Sequence, residues 1–302
     1  MAAARWIDLV DPTEEELRPH LPPDLHPRAL EILRAPHTHD DEPRPRLESH
    51  GTYVIGILLV AIAKPAEDRI YYQEVDLVLT PATLLTVSKT PPGADPFDPK
   101  PAQEACKPHE PVGMYAFRLV DEVAERYLDL IDDLNDEIDE LEDRVDAWSA
   151  TRVRERISDL RHDLLRIRRT LAPTRDAVHK IVDDRIELDG FELFPREVEL
   201  HFADAYDKLL RATEGLETSR DLVAGVRDYA QAKIANDQNE VMKRLTVIAS
   251  LLLVPTFIVG LYGQNFHHIP ELGWSFGYWW SWGWILATTI AQLAFFRWRR
   301  WI

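Results

Sequence analysis

The sequence predicts an α+β cytoplasmic domain, a small sheet with long helices. A very long helix then enters the membrane, and the chain closes on a two-helix transmembrane hairpin. Three observations predict this. No charged side chain occurs from Leu245 to Tyr262 or from Leu272 to Phe296, and about 18 to 20 uncharged residues can cross the roughly 30 Å hydrocarbon core as a helix. Upstream, apolar residues recur at helical spacing over stretches of thirty residues and more, the mark of packed amphipathic helices. Near the start, three short runs rich in β-branched and aliphatic residues read as strands.

In chain order, Arg5 to Val10 reads as a strand, and Asp11-Pro12-Thr13-Glu14-Glu15-Glu16-Leu17 opens a short helix with proline and acids in its first turn. Pro22, Pro23 and Pro27 are expected to break the chain after that helix. His37-Thr38-His39-Asp40-Asp41-Glu42 has the composition of a metal cluster, but Pro36, Pro43 and Pro45 surround it and its spacing fits no standard zinc site, so a solvated loop is expected. Tyr53 to Ala63, Ile70 to Thr80 and Leu84 to Ser88 read as three strands, antiparallel because their connections are short. The proline-rich stretch from Pro91 to Pro111 is expected to lack regular structure. Residues 1–90 thus form a small α/β subdomain.

Residues 91–244 form the helical part. Met114 to Trp148 reads as a helix with its apolar stripe on Val120, Val123, Tyr127, Leu130, Leu134, Ile138, Leu141 and Val145. Its other face is acidic. Thr151 to Val182 reads as a second helix with a basic surface, so an antiparallel hairpin with a two- or three-residue turn is expected. After Pro195 a third stripe runs through Val198, Phe202, Ala205, Leu209, Leu216, Val223 and Val226, and no proline interrupts from Arg196 to Val254. One helix of about 195–262 is expected, linking the soluble part to the first span.

Residues 245–302 form the hairpin, with spans of about 245–262 and 279–296. Lys243 and Arg244 precede it, Arg297, Arg299 and Arg300 follow it, and Gly263 to Gly277 contains no Lys or Arg. By the positive-inside rule both termini are cytoplasmic, in an inner (plasma) membrane. Trp274, Tyr278, Trp279, Trp280, Trp282 and Trp284 suit an outer aromatic belt, and Trp298 and Trp301 an inner one. Asn239, Met242, Thr246, Ala249, Leu253, Thr256 and Gly260 follow alternating steps of three and four, hence one helix stripe. Such a small and polar stripe is either a helix-packing seam or the lining of a pore shared by several copies. Pro255 leaves the carbonyl of Leu251 without its usual donor.

The charge balance, 52 acids against 35 bases, argues against nucleic acid as a partner and leaves cation binding open. One cysteine, Cys106, excludes an intrachain disulfide. The first residues lack a basic region followed by an apolar core, so no signal peptide is expected. No nucleophile with a base, no Walker motif and no pocket pattern of acids is legible, so an enzyme is not expected.

At the outer end of the first span stand Tyr262-Gly263-Gln264-Asn265-Phe266 and then Pro270-Glu271-Leu272. With Asn239-Glu240-Val241-Met242-Lys243 and the basic tail, this text resembles the CorA family of divalent-cation channels. That family's signature is Gly-Met-Asn, with Ile for Met in a zinc-transporting branch; here Gln264 takes the middle position, which puts cation selectivity in doubt more than channel function. The likeness extends more weakly over most of the chain, including Phe202 to Asp207 and Glu217 to Asp221.

The resemblance implies a membrane-potential-driven Mg2+ channel in which Mg2+ is both substrate and regulator, with Co2+, Ni2+ or Zn2+ as possible passengers and no cofactor required. It implies a homo-oligomer, a pentamer, in the lipid bilayer. Asn265 would hold the hydrated ion at the mouth and Gly263 would offer carbonyls. Asn239, Met242, Leu245, Ala249, Leu253, Thr256 and Gly260 would line the pore, with Met242 and Leu245 as an apolar constriction. Lys243, Arg297, Arg299 and Arg300 would ring the inner mouth. Alignment through Asn239 to Lys243 brings two regulatory acids onto Asp204 and Asp228. The alternatives are a zinc transporter of the same superfamily and a membrane-tethered scaffold or sensor without transport.

Overall fold

The computed structural model describes residues 4–37, 42–64, 69–107, 109–265 and 269–302. These divide into two compact units, residues 1–227 and 228–302.

The first unit is built on a five-stranded sheet of order β1-β5-β4-β3-β2: β1 Arg5–Val10, β2 Arg46–Ser49, β3 Val54–Lys64, β4 Arg69–Leu79 and β5 Thr83–Lys89. The three expected strands are present and antiparallel. The sheet is larger and mixed, however, because β1 joins β5 in parallel and β2 adds an antiparallel edge. Two short helices, α1 Glu14–Leu17 and α2 Pro27–Arg34, cover one face. There Leu17, Ala29 and Leu33 pack on Tyr53, Ile55, Val78, Leu85 and Val87. Pro27 does not break the chain as expected: it stands at the first position of α2, where its missing N–H costs nothing, and His26 caps the helix by accepting from the Arg28 N–H at 3.2 Å. The proline-rich stretch is likewise not devoid of structure, since α3 forms at Lys100–Glu104.

The opposite face receives the long helices α4 Val112–Arg144 and α5 Ala150–Val182. Their connection, residues 145–149, is longer than expected, and Ser149 caps α5 by accepting from the Arg152 N–H. The α4 stripe is buried from Val120 to Val145, and the third stripe from Val198 to Val226 is buried too, on α6 Arg196–Tyr262. Gly215 lets α6 approach α4: a Cβ there would sit 2.9 Å from Ile131 Cγ2. One turn on, Ser219 donates to Asn135 Oδ1 at 2.7 Å. The arginines of α5 are shared among partners, Arg156 with Glu137 of α4, Arg166 with Glu42 and Arg168 with Glu217 of α6. Complementarity with α4 is thus only part of their role.

Under α2 lies a buried ionic cluster. Lys89, Glu74 and Asp76 are 3%, 3% and 0% exposed. Lys89 Nζ donates to Glu74 Oε1 and, at 2.9 Å, to the Ile32 carbonyl, and it lies 2.8 Å from Asp76 Oδ2. His37 Nδ1 is 3.6 Å from the other Glu74 oxygen. One lysine faces two carboxylates, and desolvation pushes the Asp76 carboxyl up to about 7. A carboxyl whose folded value exceeds its unfolded one binds more protons folded than unfolded between the two values, so it makes stability fall as pH rises through that window, by up to about 1.4 kcal/mol per pH unit. Glu74 is shifted the other way and titrates lower. Thermal unfolding of the chain between pH 5 and 7 is therefore expected to show an Asp76-dependent loss of stability with rising pH. Asp76→Asn should flatten it; an unaltered slope in that variant refutes the assignment.

The second unit holds the end of α6, a single turn at Pro270–Gly273 and α7 Gly277–Trp298. Among the described residues only α6 is long and apolar enough by composition to cross a membrane. The 22 residues of α7 correspond to about 33 Å of helix, but tryptophan, tyrosine, serine and glycine dilute its apolar character.

Candidate functional site

The small and polar stripe of α6 has a definite environment within the second unit. Met242, Leu245 and Leu253 are 61%, 55% and 70% exposed, and Asn239, Ala249, Thr256 and Gly260 are exposed as well. One side of the helix is covered between Val247 and Ile258, while Ile248, Leu252, Phe257 and Val259, off the stripe, are exposed like it. Val247 is buried, and Ser250, Leu251, Val254, Pro255 and Ile258 are half-buried. The covering face of α7 carries Ser281, Ile285, Thr288, Gln292 and the buried Phe296 at helical steps, and Gln292 Nε2 donates to the Ser250 carbonyl at 3.2 Å. The stripe is therefore not the seam between the two helices of one chain; the seam is the side that carries Val247 and Ser250.

Both stripe threonines turn their protons back to the helix, Thr246 Oγ1 to the Met242 carbonyl at 2.8 Å and Thr256 Oγ1 to the Leu252 carbonyl at 2.6 Å. This satisfies the donor and leaves each oxygen its acceptor capacity. At the end of α6 the Gly263 N–H reaches the Val259 carbonyl at 2.9 Å, and a Cβ at Gly263 would lie 3.1 Å from that same oxygen. Glycine suits so tight a stop. Gln264 and Asn265 follow, both exposed, and the Asn265 amide makes no hydrogen bond among the described residues. Phe266 lies outside those residues.

The cationic residues are also exposed: Lys243, Arg297, Arg299, whose guanidinium lies 5.8 Å from the Trp298 ring centroid, and Arg300, which adopts a positive φ of 57°. Asp204 and Asp228 fall in different compact units and are taken separately. Asp204 is exposed and lines an open hollow of about 620 Å³ with Phe117, Asp121, Asp207, Lys208 and Arg211. Lys208 donates to Asp121 at 2.6 Å and pairs with Glu125. Partial burial opposes its charge, but these two acids outweigh it and hold its ammonium above the usual lysine range. Asp228 is exposed on α6. Among the described residues no group of three or more His, Cys, Asp or Glu side chains could hold a metal ion; His39 falls outside them, while His37 packs on Glu74.

The profile of the CorA-like Mg2+ transporter protein family matches residues 2–300. The chain belongs to that family. The cobalt/magnesium transport protein CorA of Thermotoga maritima is 30% identical over 260 residues, covering 84% of this chain and 70% of the relative. The zinc transport protein ZntB of Yersinia enterocolitica is 28% identical over 166 residues, 55% of this chain and 49% of its own length. Among solved structures, the complete CorA magnesium transporter of Methanocaldococcus jannaschii superposes with a TM-score of 0.79 at 22% identity, covering 98% of this chain and 91% of that one, which shows a shared fold. CorA-like proteins are membrane metal-ion transporters, and this member is accordingly not an enzyme.

Two features of this CorA-like chain escaped the reading of its sequence, the Lys89 cluster and the Gln292–Ser250 contact. The second had a signal, for Gln292 is an amide in a run from Leu272 to Phe296 without a charged side chain.

Proposed function

We propose that this CorA-like chain assembles into a homo-oligomeric, pentameric channel for Mg2+ in the plasma membrane, with α6 and α7 as its two spans and both termini cytoplasmic. The observation that carries the reading is that the small and polar stripe of α6, from Asn239 to Gly260, leads to Gly263-Gln264-Asn265 and stays exposed while α7 covers the side that carries Val247, Ser250 and Val254. Two helices cannot enclose a channel, so a stripe turned away from α7 calls for further copies. Mg2+ gives up its water shell reluctantly, and a ring of neutral Asn265 amides suits the hydrated ion, binding it weakly enough to release. The membrane potential supplies roughly 4.6 kcal/mol per divalent ion at 100 mV, from about 2.3 per charge. Met242 and Leu245 give the inner end an apolar constriction that gates by dewetting.

Liposomes loaded with a Mg2+ indicator, under an inward gradient and an inside-negative potential, test the reading. Mg2+ entry is expected. A well-folded oligomer that moves no ion would leave the tethered scaffold in front. Zinc is the second reading, left open by Gln264, which matches neither the Met nor the Ile, and supported by the ZntB relative; Zn2+ entry without Mg2+ entry would establish it.

Regulation belongs to the same proposal. Asp204 and Asp228 carry the carboxylates that repel across subunit contacts until internal Mg2+ offsets them. Asp228→Lys puts a fixed cation where the ion would bind. It is expected to shift the internal Mg2+ concentration for half-closure by about tenfold or more, a change of about 1.4 kcal/mol. An inhibition curve that superposes on the unsubstituted one counts against a regulatory role for Asp228.

A further inference from the structure

The amide of Gln292 has one satisfied and one unsatisfied end. Its Nε2 donates to the Ser250 carbonyl of α6 at 3.2 Å, while its Oε1 is buried and has no hydrogen-bond partner among the described residues. The contact is made at a particular turn of α6. Ser250 stands next to Leu251, whose carbonyl has lost its helical donor to Pro255. Proline inside a helix marks a place where the axis bends readily. Buried or half-buried residues flank the contact, Val247 one turn earlier on α6 and Phe296 one turn later on α7. In an apolar layer without water an amide N–H has few other acceptors to turn to.

We propose that Gln292 is a positioning residue for conduction: it ties α7 to α6 at the turn weakened by Pro255, and so sets the course of the segment whose other side carries Ala249, Leu253 and Thr256. The inference rests on the channel reading above. A tie on the covered side fixes the exposed side, because a helix turns and tilts as one body above and below its flexible turn. Without the tie, the stripe of each copy is free to splay, and closure by internal Mg2+ becomes incomplete.

Flux measurements on reconstituted full-length protein test this with two variants. Gln292→Leu keeps the size of the side chain and removes its donor. It is expected to leave at least threefold more residual Mg2+ entry at saturating internal Mg2+. Gln292→Glu supplies a carboxyl that donates to the Ser250 carbonyl only while protonated. Burial raises such a carboxyl to about 8 to 9, so the leak of this variant is expected to be near that of the unsubstituted protein at pH 6 and to rise toward that of Gln292→Leu by pH 9, while the leak of the leucine variant and of the unsubstituted protein varies with pH no more than twofold. Closure as tight in Gln292→Leu as in the unsubstituted protein would overturn the proposal. An equal leak in both variants at every pH would also overturn it, by reducing Gln292 to a matter of shape. If Gln292→Leu does not assemble, the pH profile of Gln292→Glu decides alone. Were the unsubstituted protein to move no ion, the channel reading itself would fail and take this inference with it; unsubstituted flux with indifferent variants removes the inference alone.

Discussion

Asn265→Ala is expected to bring Mg2+ entry down to the level of empty liposomes while the oligomer stays assembled. Asn265 is exposed beyond the last turn of α6, so truncating it removes no buried contact among the described residues. In the proposed channel it takes one amide from every copy around the mouth. A neutral hydrogen bond contributes about 1 kcal/mol net, and the loss multiplies with the number of copies. A loss of several kcal/mol at one ion site lowers occupancy by orders of magnitude, since each 1.4 kcal/mol is about tenfold. Asn265→Asp separates the amide from its oxygen. It keeps an acceptor and adds charge, so tighter binding with slower release is expected, seen as a lower maximal rate. Mg2+ entry at the unsubstituted rate from Asn265→Ala oligomers would remove the Gly-Gln-Asn segment from the ion path.

The largest expected effect on stability is at Lys89. Alanine there removes the ammonium that faces both Glu74 and Asp76 under α2, together with the bond to the Ile32 carbonyl. Asp76 is fully enclosed and Glu74 nearly so, although a hollow of about 300 Å³ lined by Ile32, Arg44, Glu74 and Lys89 borders the cluster. Breaking a buried ion pair from one side costs about 3 to 5 kcal/mol. A unit of this size loses about 2 to 4 °C of melting temperature per kcal/mol, so the unfolding midpoint by circular dichroism is expected to fall by roughly 6 to 20 °C at pH 7.5. Adding Glu74→Gln to Lys89→Ala should recover part of that loss, because Glu74 is the carboxylate that titrates low, whereas the Asp76 carboxyl, already pushed up to about 7 beside the lysine, takes up a proton when the lysine is gone. A midpoint that does not move would mean that the acids are solvated or protonated without cost.

Much of this architecture was readable because local pattern and tertiary role coincide. The run from Val54 to Ala63 is apolar at every position, as a strand covered on both faces must be. The α4 and α6 stripes are apolar because they are buried. The elements that escaped have no such local mark. Strand β2 is Arg46-Leu47-Glu48-Ser49, four residues of which only Leu47 is buried. Helix α2 hides among three prolines, one of which starts it. The parallel seat of β1 beside β5 joins residues nearly eighty positions apart. That Lys89 points inward depends on its cross-strand partner Glu74, a register that neither strand reveals alone. At the site, periodicity defined a stripe on α6 but not what it faces. The structure adds that α7 takes the other side, and the Gly-Gln-Asn text was legible only through resemblance to a family.

The distribution of the indoles has a practical consequence. The chain has nine tryptophans, and all but Trp6 and Trp148 follow Gly273. Trp6 is hydrogen-bonded to Thr86 Oγ1 and Trp148 is stacked against the Arg152 guanidinium, while Trp279 and Trp298 are 74% and 76% exposed. Seven of the nine indoles, and hence most of the intrinsic fluorophores of the protein, therefore belong to the α7 region. Lipids brominated at chosen depths of the acyl chain become a ruler for this helix. Shallow labels confined to one leaflet at a time separate the cases: with Trp279 and neighbours in one leaflet and Trp298 and Trp301 in the other, a spanning α7 is quenched in part from each side, whereas a helix lying in one interface is quenched from that side alone.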